Sequence, residues 1–204
     1  MEKPALSSAK PRKREITRKK VIQAAIESIY RDGFHAAHTN RIAEEAGVSW
    51  GVLQYHFGDK DGLLQAVIDD IFEDFLETLG SVELDGDDLH QRLSQLIDAV
   101  WGLISRKEYR VSIAILRNAG KDKASRINGQ KQVKLWAERM SDLWDQLLPD
   151  ELSGTPRSDT ARHLLFATLR GLADDINPTA RLTKQSWKAE RTALGDAIAY
   201  LLTQ

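Results

Sequence analysis

The sequence contains no cysteine among its 204 residues and has only five prolines and two methionines. The lack of cysteine excludes disulfides, thiolate metal ligands and cysteine nucleophiles, and it fits a reducing compartment. No apolar run approaches the roughly 18 residues that a membrane-spanning helix needs. No apolar segment follows the basic N-terminus, as a secretory signal peptide would require, so we expect a cytoplasmic protein without a membrane partner.

The charges are unevenly distributed, although the net charge is only −1. Residues 1–20 hold eight Lys or Arg and two Glu, whereas residues 65–204 hold eighteen basic and twenty-two acidic residues. A basic front on an acidic body indicates a polyanionic partner such as nucleic acid. A solubilising tail would produce the same pattern, so charge alone leaves both interpretations open.

Apolar residues recur at helical spacing almost throughout the chain, and no alternating strand pattern is found. Proline, serine and lysine dominate residues 1–13, which predicts a basic disordered arm. Nine helices are predicted after the arm, at about residues 17–32, 40–46, 50–57, 64–79, 89–104, 109–116, 133–147, 161–172 and 187–201. The fold class is therefore predicted to be all-α.

Two of these short helices meet in the stretch GVSWGVLQYHFGDKDGLL, which begins at Gly47. Gly47 permits a tight turn. Thr39, Ser49 and Asp59 are expected to cap the second, third and fourth predicted helices. Only Leu53 and Phe57 of that helix need to face a core. The weak amphipathicity is typical of a helix-turn-helix, whose second helix enters the major groove of DNA with its other faces free.

The longer stretch TNRIAEEAGVSWGVLQYHFGDKDGLL resembles the DNA-binding signature of the TetR/AcrR family of bacterial transcriptional regulators. The resemblance extends over about residues 14–65. It implies a helix-turn-helix domain at 14–60, joined by a long helix to a helical ligand-binding and dimerisation bundle at 61–204. It also implies no enzymatic activity and no cofactor. The DNA contacts that the resemblance implies are Thr39, Ser49, Trp50, Gly51, Val52, Gln54, Tyr55, His56 and Lys60.

Several of these contacts have a second interpretation. Trp50 follows a cap and precedes a glycine, which favours contact with bases over a position in the core. Tyr55 and His56 resemble contacts to the DNA backbone, but they could also pack the helix ends. The family often has tyrosine where this chain has Gln54, and glutamine can instead bind adenine bidentately. Residues 10–20 could be a solvated tail, although beside a helix-turn-helix we expect phosphate or minor-groove contact.

Bulky side chains are spread over predicted helices five to eight and could enclose an apolar cavity. Plain core packing is the alternative for each of them. Arg170 could meet an acidic ligand, although we favour an ion pair with Asp174 four residues later. The effector is therefore predicted to be a small apolar or aromatic molecule. The predicted pocket residues are Trp101, Tyr109, Ile113, Trp136, Met140, Trp144, Phe166 and Leu169.

Small and apolar residues on the last two helices predict a two-fold interface between copies of the chain, because small residues let helices approach closely. Packing within one chain would use the same residues, and the sequence does not separate these possibilities. The predicted interface residues are Leu165, Gly171, Leu172, Gly195 and Ile198.

Metal binding and catalysis have little support in the sequence. His35 and His38 are three residues apart, but a structural or surface role is favoured because no carboxylate partner is evident. Asp87 and His90 form a single carboxylate–histidine motif, whereas a di-metal bundle needs two. We therefore expect a homodimeric repressor that binds a palindromic DNA operator and is released by the effector. The alternative is an all-α ligand carrier or enzyme with an N-terminal DNA-targeting module.

Overall fold

A computed structural model of the protein describes residues 9–86, 88–119, 130–174 and 187–204. These residues form α-helices and no strand, which confirms the predicted all-α fold class. The helices are α1 (Ala9–Asp32), α2 (Thr39–Glu45), α3 (Trp50–Phe57), α4 (Lys60–Gly80), α5 (Leu89–Ile104), α6 (Lys107–Ala119), α7 (Gln130–Leu147), α8 (Pro156–Asp174) and α9 (Lys188–Thr203).

The helices divide between two compact units. Unit 1 comprises Met1–Ile71 and Arg110–Gln130, and unit 2 comprises Phe72–Tyr109 and Lys131–Gln204. The long helix α4 is continuous and contributes its first half to unit 1 and its second half to unit 2. The division predicted at residue 60 separates a DNA-binding part from a ligand-binding part, whereas the two units are defined by which residues lie close together. The predicted division stays a prediction.

The core of unit 1 is built from one apolar face of each short helix. Ile22, Ile26 and Ile29 are buried on α1, where their spacing of three to four residues places them on one stripe. Ile42 of α2 and Leu53 of α3 are also buried. Each side chain of this size contributes roughly 1.5–3 kcal/mol on burial, so this stripe largely determines how the three helices pack.

Charged side chains join the end of α1 to α2. A nitrogen of the Arg31 guanidinium lies 2.8 Å from a carboxylate oxygen of Asp32 and 2.6 Å from one of Glu45. Arg41 of α2 lies 3.2 Å from Asp32 and 3.1 Å from Glu45. The hydrogen bond from Arg31 is the main cause that lowers the pKa of Asp32 below its ordinary value. These exposed pairs orient α2 rather than add much stability.

Helix α1 begins at Ala9, eight residues before its predicted start at Thr17. The interpretation of residues 1–13 as a disordered arm is therefore wrong for residues 9–13, and residues 1–8 lie outside the described part of the chain. Proline had been taken as a sign of disorder. Pro11 is the third residue of the helix, where a backbone N–H has no partner inside the helix, so the ring is tolerated.

Helix α2 begins differently from the prediction. Its N-cap is His38 rather than Thr39, and the His38 side chain makes no capping hydrogen bond. Thr39 is instead the first residue of the helix itself. The prediction that Thr39 caps this helix is wrong, and its hydroxyl has no capping role there.

Unit 2 is organised around α5, which packs against both α8 and α9. Its buried residues include Leu93, Leu96 and Val100, which follow helical spacing. The α8 stripe that is buried with them consists of Ala161, Leu165, Leu169 and Ala173. No helix in the part of the chain that the structure describes has both the length and the apolarity to cross a membrane.

Candidate functional site

The turn between α2 and α3 has the geometry that the sequence predicted. The hydroxyl oxygen of Ser49 accepts a hydrogen bond of 3.3 Å from the backbone N–H of Val52, so Ser49 caps α3. Gly47 has φ +66°, a conformation that L side chains rarely adopt. Gly58 ends α3 with φ +79°. Short-range signals thus set both ends of this eight-residue helix.

Helix α3 has one fully buried side chain, and its other side chains are exposed or half-buried. Leu53 is 1% exposed, whereas Trp50 is 49% exposed and Tyr55 is 71% exposed. Trp50 is therefore not a core residue. Phe57 was predicted to face the core, but it is only half-buried. It is the last residue of α3, directly before Gly58. Of the remaining predicted contacts on α3, Gly51 and Gln54 are exposed, and Val52 and His56 are half-buried.

A shallow groove joins the starts of α2 and α3. Thr39, Ser49 and Trp50 line it together with Asn40 and Glu44. Three of the predicted DNA contacts therefore share one surface, and the open N-terminal ends of two helices face the same groove. Backbone N–H groups at such ends bind anions well.

Cationic side chains of α1 and α4 lie over aromatic rings in unit 1. The guanidinium carbon of Arg14 is 5.6 Å from the centre of the Tyr55 ring, and that of Arg18 is 5.8 Å from the centre of Phe57. The ammonium nitrogen of Lys60 is 5.3 Å from the centre of the Phe34 ring. Such stacking holds the long cations in place and leaves their charge available to a polyanion.

The two arginines were part of the predicted basic segment 10–20, but the sequence analysis did not single them out. Arg14 and Arg18 are four residues apart, and this spacing on a helix would have placed them on one face. The signal was missed because α1 was predicted to start only at Thr17. Partial burial, assisted by these two guanidinium groups, lowers the pKa of His56 below its ordinary value.

Unit 2 contains a cavity of about 210 Å³ between α5, the start of α6, α7 and α8. Its aromatic lining comprises Tyr109 of α6, Trp136 of α7 and Phe166 of α8. The lining includes five predicted pocket residues, namely Tyr109, Trp136, Met140, Phe166 and Leu169. It also includes Val100, Ile104, Ala137, Arg162, His163 and Arg170, which were not predicted as pocket residues.

Three predicted pocket residues do not line this cavity. Trp101 is buried elsewhere in unit 2, with the guanidinium carbon of Arg191 at 5.4 Å from its ring centre. Trp144 is 1% exposed, and its indole N–H donates a hydrogen bond of 2.7 Å to the hydroxyl of Ser158. Ile113 belongs to unit 1. The sequence identified bulky residues but not which of them share a space.

The N-terminal part of the chain is similar to known regulatory proteins. The family described as bacterial regulatory proteins, tetR family, matches residues 21–67. The HTH-type transcriptional regulator BetI of Vibrio campbellii is 36% identical over 86 residues, which are 41% of this chain and 43% of BetI. The matched stretch thus spans less than half the length of this curated relative.

Solved structures extend the likeness along most of the chain. A transcriptional regulator from Rhodococcus sp. Rha1 superposes with a TM-score of 0.66 at 23% identity, covering 91% of this chain and 96% of its own. NalD of Pseudomonas aeruginosa, the secondary repressor of the MexAB-OprM multidrug efflux pump, has a TM-score of 0.59 at 21% identity and the same coverage. At such low identity these likenesses establish the fold. Residues 21–67 of this chain thus match the TetR family, and the fold along most of the chain is similar to that of solved transcriptional regulators.

The curated relative that matches the N-terminal part of this chain is described as a transcriptional regulator. This argues against the alternative of an all-α enzyme with a DNA-targeting module. Within the described ranges, no group of three or more His, Asp or Glu side chains is arranged to hold a metal ion. His35 and His38 are exposed, and the Asp88 carboxylate caps α5 by accepting from the N–H of His90. Asp87 lies outside the described residues.

The predicted dimer residues of α8 and α9 differ in their exposure. Leu165 and Ile198 are buried within unit 2 and cannot meet a second copy. A Cβ at Gly195 would lie 3.4 Å from Cδ1 of Ile97, so Gly195 serves the packing of α9 on α5. Gly171 is exposed and Leu172 is half-buried.

The outward face of the same two helices carries large apolar side chains that the sequence analysis did not select. Leu164 of α8 is 50% exposed, and Tyr200 of α9 is 67% exposed. Leu164 is next to the predicted interface residue Leu165, and Tyr200 is two residues after the predicted interface residue Ile198. The prediction that α8 and α9 form a dimer interface stays a prediction, and Leu164 and Tyr200 are the large apolar residues that these helices expose.

Proposed function

We propose that this chain is a DNA-binding transcriptional regulator in which α3 inserts into the major groove of an operator. The observation that carries the proposal is the makeup of α3. It is capped, it buries only Leu53, and it turns aromatic and hydrogen-bonding side chains outward. A helix that served only packing would lose stability by exposing Trp50 and Tyr55 to water.

Individual roles follow from position along the docked helix. Residues near the N-terminus of a recognition helix meet base edges, which assigns direct readout to Trp50 and Gln54 together with close approach at Gly51. Tyr55 and Lys60 are assigned to phosphates. Arg14 lies over the Tyr55 ring and would add a third phosphate contact, the second from a cationic side chain.

Binding to sheared DNA at a series of salt concentrations tests this proposal. The wild type should bind with a steep loss of affinity as salt rises, because phosphate contacts release counterions. Tyr55→Ala should weaken binding. Tyr30→Ala is the matched control, since Tyr30 is an exposed tyrosine of α1 that is assigned neither to DNA nor to the dimer interface. Equal effects of the two substitutions, or binding that salt does not change, would refute the assignment of α3.

The regulator is proposed to act as a homodimer through the outward face of α8 and α9. A two-fold dimer presents two copies of α3 to successive major grooves, about 34–36 Å apart or a multiple of this, and so recognises a near-palindrome. Leu164 and Tyr200 supply apolar area on this face, and Gly171 permits close approach of a second helix. This replaces the interface that the sequence predicted, in which Leu165 and Ile198 were to meet the partner.

The regulator is further proposed to be a repressor that a small molecule releases from DNA. The supporting observation is the contact between the cavity wall and α4. The Trp136 ring centre lies 6.2 Å from that of Phe72 and 5.6 Å from that of Phe75, both on the second half of α4. A ligand that shifts Trp136 would act on the helix that both units share. The ligand must bind more tightly to the conformation that cannot bind DNA, because otherwise the equilibrium between the two conformations does not shift.

A further inference from the structure

The cavity of unit 2 combines an aromatic wall with cationic side chains from a single helix. α8 contributes Arg162, Phe166 and Arg170 at intervals of four residues, together with His163. Residues four apart lie one above another on a helix, about 6 Å apart along its axis. The ring of Phe166 is therefore flanked by a guanidinium group one turn before it and another one turn after it.

We propose that the effector is a small aromatic monocarboxylate whose ring lies between Phe166 and Trp136 and whose carboxylate meets the guanidinium of Arg170. The inference deepens the proposed ligand response, on which it rests. It narrows the sequence-based expectation of a small apolar or aromatic effector to an aromatic molecule that carries a negative charge. It also gives Arg170 a role for which an ion pair with Asp174 had been favoured.

The charge of the lining points to an anion. Arg162, His163 and Arg170 belong to it, and no acidic side chain does among the described residues that line the cavity. Arg170 and His163 are exposed and therefore hydrated before a ligand binds. A carboxylate can replace this water by accepting two parallel hydrogen bonds from one guanidinium group, which an uncharged ring cannot do.

Arg170 is chosen as the anchor because Arg162 already has a carboxylate partner. A guanidinium nitrogen of Arg162 lies 2.8 Å from a carboxylate oxygen of Asp159, three residues earlier on α8. The Asp159 carboxylate therefore already offsets the positive charge of Arg162 before a ligand binds. Along α8, Arg162 and His163 precede Phe166, whereas Arg170 follows it by four residues.

The size of the cavity limits the ligand to a compact molecule. Its volume of about 210 Å³ corresponds to about seven water molecules, at about 30 Å³ each in the liquid. A one- or two-ring aromatic acid fits this volume, whereas a large polycyclic molecule does not. The aromatic walls favour a flat ring, since offset or edge-to-face pairs of rings add attraction beyond the buried area.

The test compares naphthalene-2-carboxylate with naphthalene-2-carboxamide, which has the same shape and no charge. Binding is measured by calorimetry on the full chain without DNA, with Trp emission followed in parallel. The carboxylate should bind about tenfold more tightly than the amide, which corresponds to one charge-assisted hydrogen-bonded contact. Arg170→Gln should remove this preference and leave the affinity for the amide nearly unchanged.

Arg157→Gln is the matched control, because Arg157 is an exposed arginine of α8 that does not line the cavity. It should keep the full preference for the carboxylate. Equal affinities for the two probes in the wild type, absence of binding for both, or a preference that survives Arg170→Gln would overturn the proposal. Failure of the proposed DNA-binding function would appear separately, as a folded protein that binds naphthalene-2-carboxylate but not sheared DNA.

Discussion

The imidazole of His56 lies in an environment that disfavours its charged form. Partial burial and then the guanidinium groups of Arg14 and Arg18 lower its pKa below 6.5, while Glu15 acts in the opposite direction. The unfolded chain therefore binds more protons than the folded chain between the lowered pKa and about 6.5. Stability supplied by the neutral form is present above pH 6.5 and is lost as the pH falls through that window.

Replacing His56 with Gln should reduce this pH dependence. Urea unfolding of the wild type should give a free energy of unfolding that falls below pH 6.5 with a slope of up to about 1.4 kcal/mol per pH unit from this residue. His38→Gln, at an exposed histidine, is the control and should leave the slope unchanged. An unchanged slope in His56→Gln would show that the His56 site does not disfavour protonation.

Two polar residues of the proposed DNA surface should differ in the kind of effect they have. Lys60→Ala should weaken binding to all DNA sequences alike and lower the magnitude of the salt slope by about one, because it removes a phosphate contact. Gln54→Ala should instead relax the preference at one base pair, worth about 1–3 kcal/mol. Fluorescence anisotropy with matched and mismatched DNA measures both. Unchanged specificity in Gln54→Ala would exclude Gln54 from base recognition.

The junction between α3 and α4 depends on a glycine inside a helix. Gly62 donates its backbone N–H to the Asp59 carboxylate at 2.9 Å, and a Cβ at Gly62 would overlap the carbonyl oxygen of Phe57. Gly62→Ala should therefore destabilise the protein by about 1–3 kcal/mol, although alanine is the better helix former. The clash is with backbone, so the angle between α3 and α4 must change to relieve it.

A second helical glycine provides the control for this prediction. A Cβ at Gly102 of α5 would meet nothing within 4 Å. Gly102→Ala should thus stabilise the protein by roughly 0.5–1 kcal/mol, through the lower entropy of the unfolded chain. Urea unfolding of both variants gives the comparison. If Gly62→Ala were as stabilising as Gly102→Ala, close approach at this junction would not be real.

Signals between near neighbours in the sequence predicted much of the fold. The Ser49 cap, the Asp59 cap and the positive φ of Gly47 depend on the few residues around each position, and the structure has all three. The start of α1 was missed because composition was taken as disorder where a proline merely occupied the first turn. The cap of α2 was missed because threonine is common at caps but also begins helices.

Features set by packing between distant residues could not be predicted in the same way. Leu164 and Leu165 are adjacent and equally apolar, but one is 50% exposed and the other is buried. Only the position of α5 and α9 around α8 decides between them. For the same reason the bulky residues of unit 2 were identified as a group, while the arginines that line the cavity beside Phe166 were not.

The proposed assembly of the whole molecule can be tested on the outward face of α8. Leu164→Glu should convert a dimer into a monomer, because two like charges would meet across a two-fold interface that has lost apolar area. Leu135→Glu is the control, as Leu135 is 40% exposed on α7. Sedimentation of the wild type should give about twice the chain mass of 22.9 kDa. A wild-type monomer that still binds its operator would contradict the dimer.

The most direct test of a sequence-specific regulator is selection of bound fragments from random DNA by the full chain. The account predicts enrichment of an inverted repeat whose half-sites are about 34–36 Å apart, or a multiple of this. Enrichment should be lost in Gln54→Ala combined with Trp50→Ala, and it should persist in Tyr30→Ala, at an exposed tyrosine of α1 outside both proposed surfaces. A folded protein that enriches no sequence, or enriches the same sequence when α3 carries both substitutions, would contradict the account.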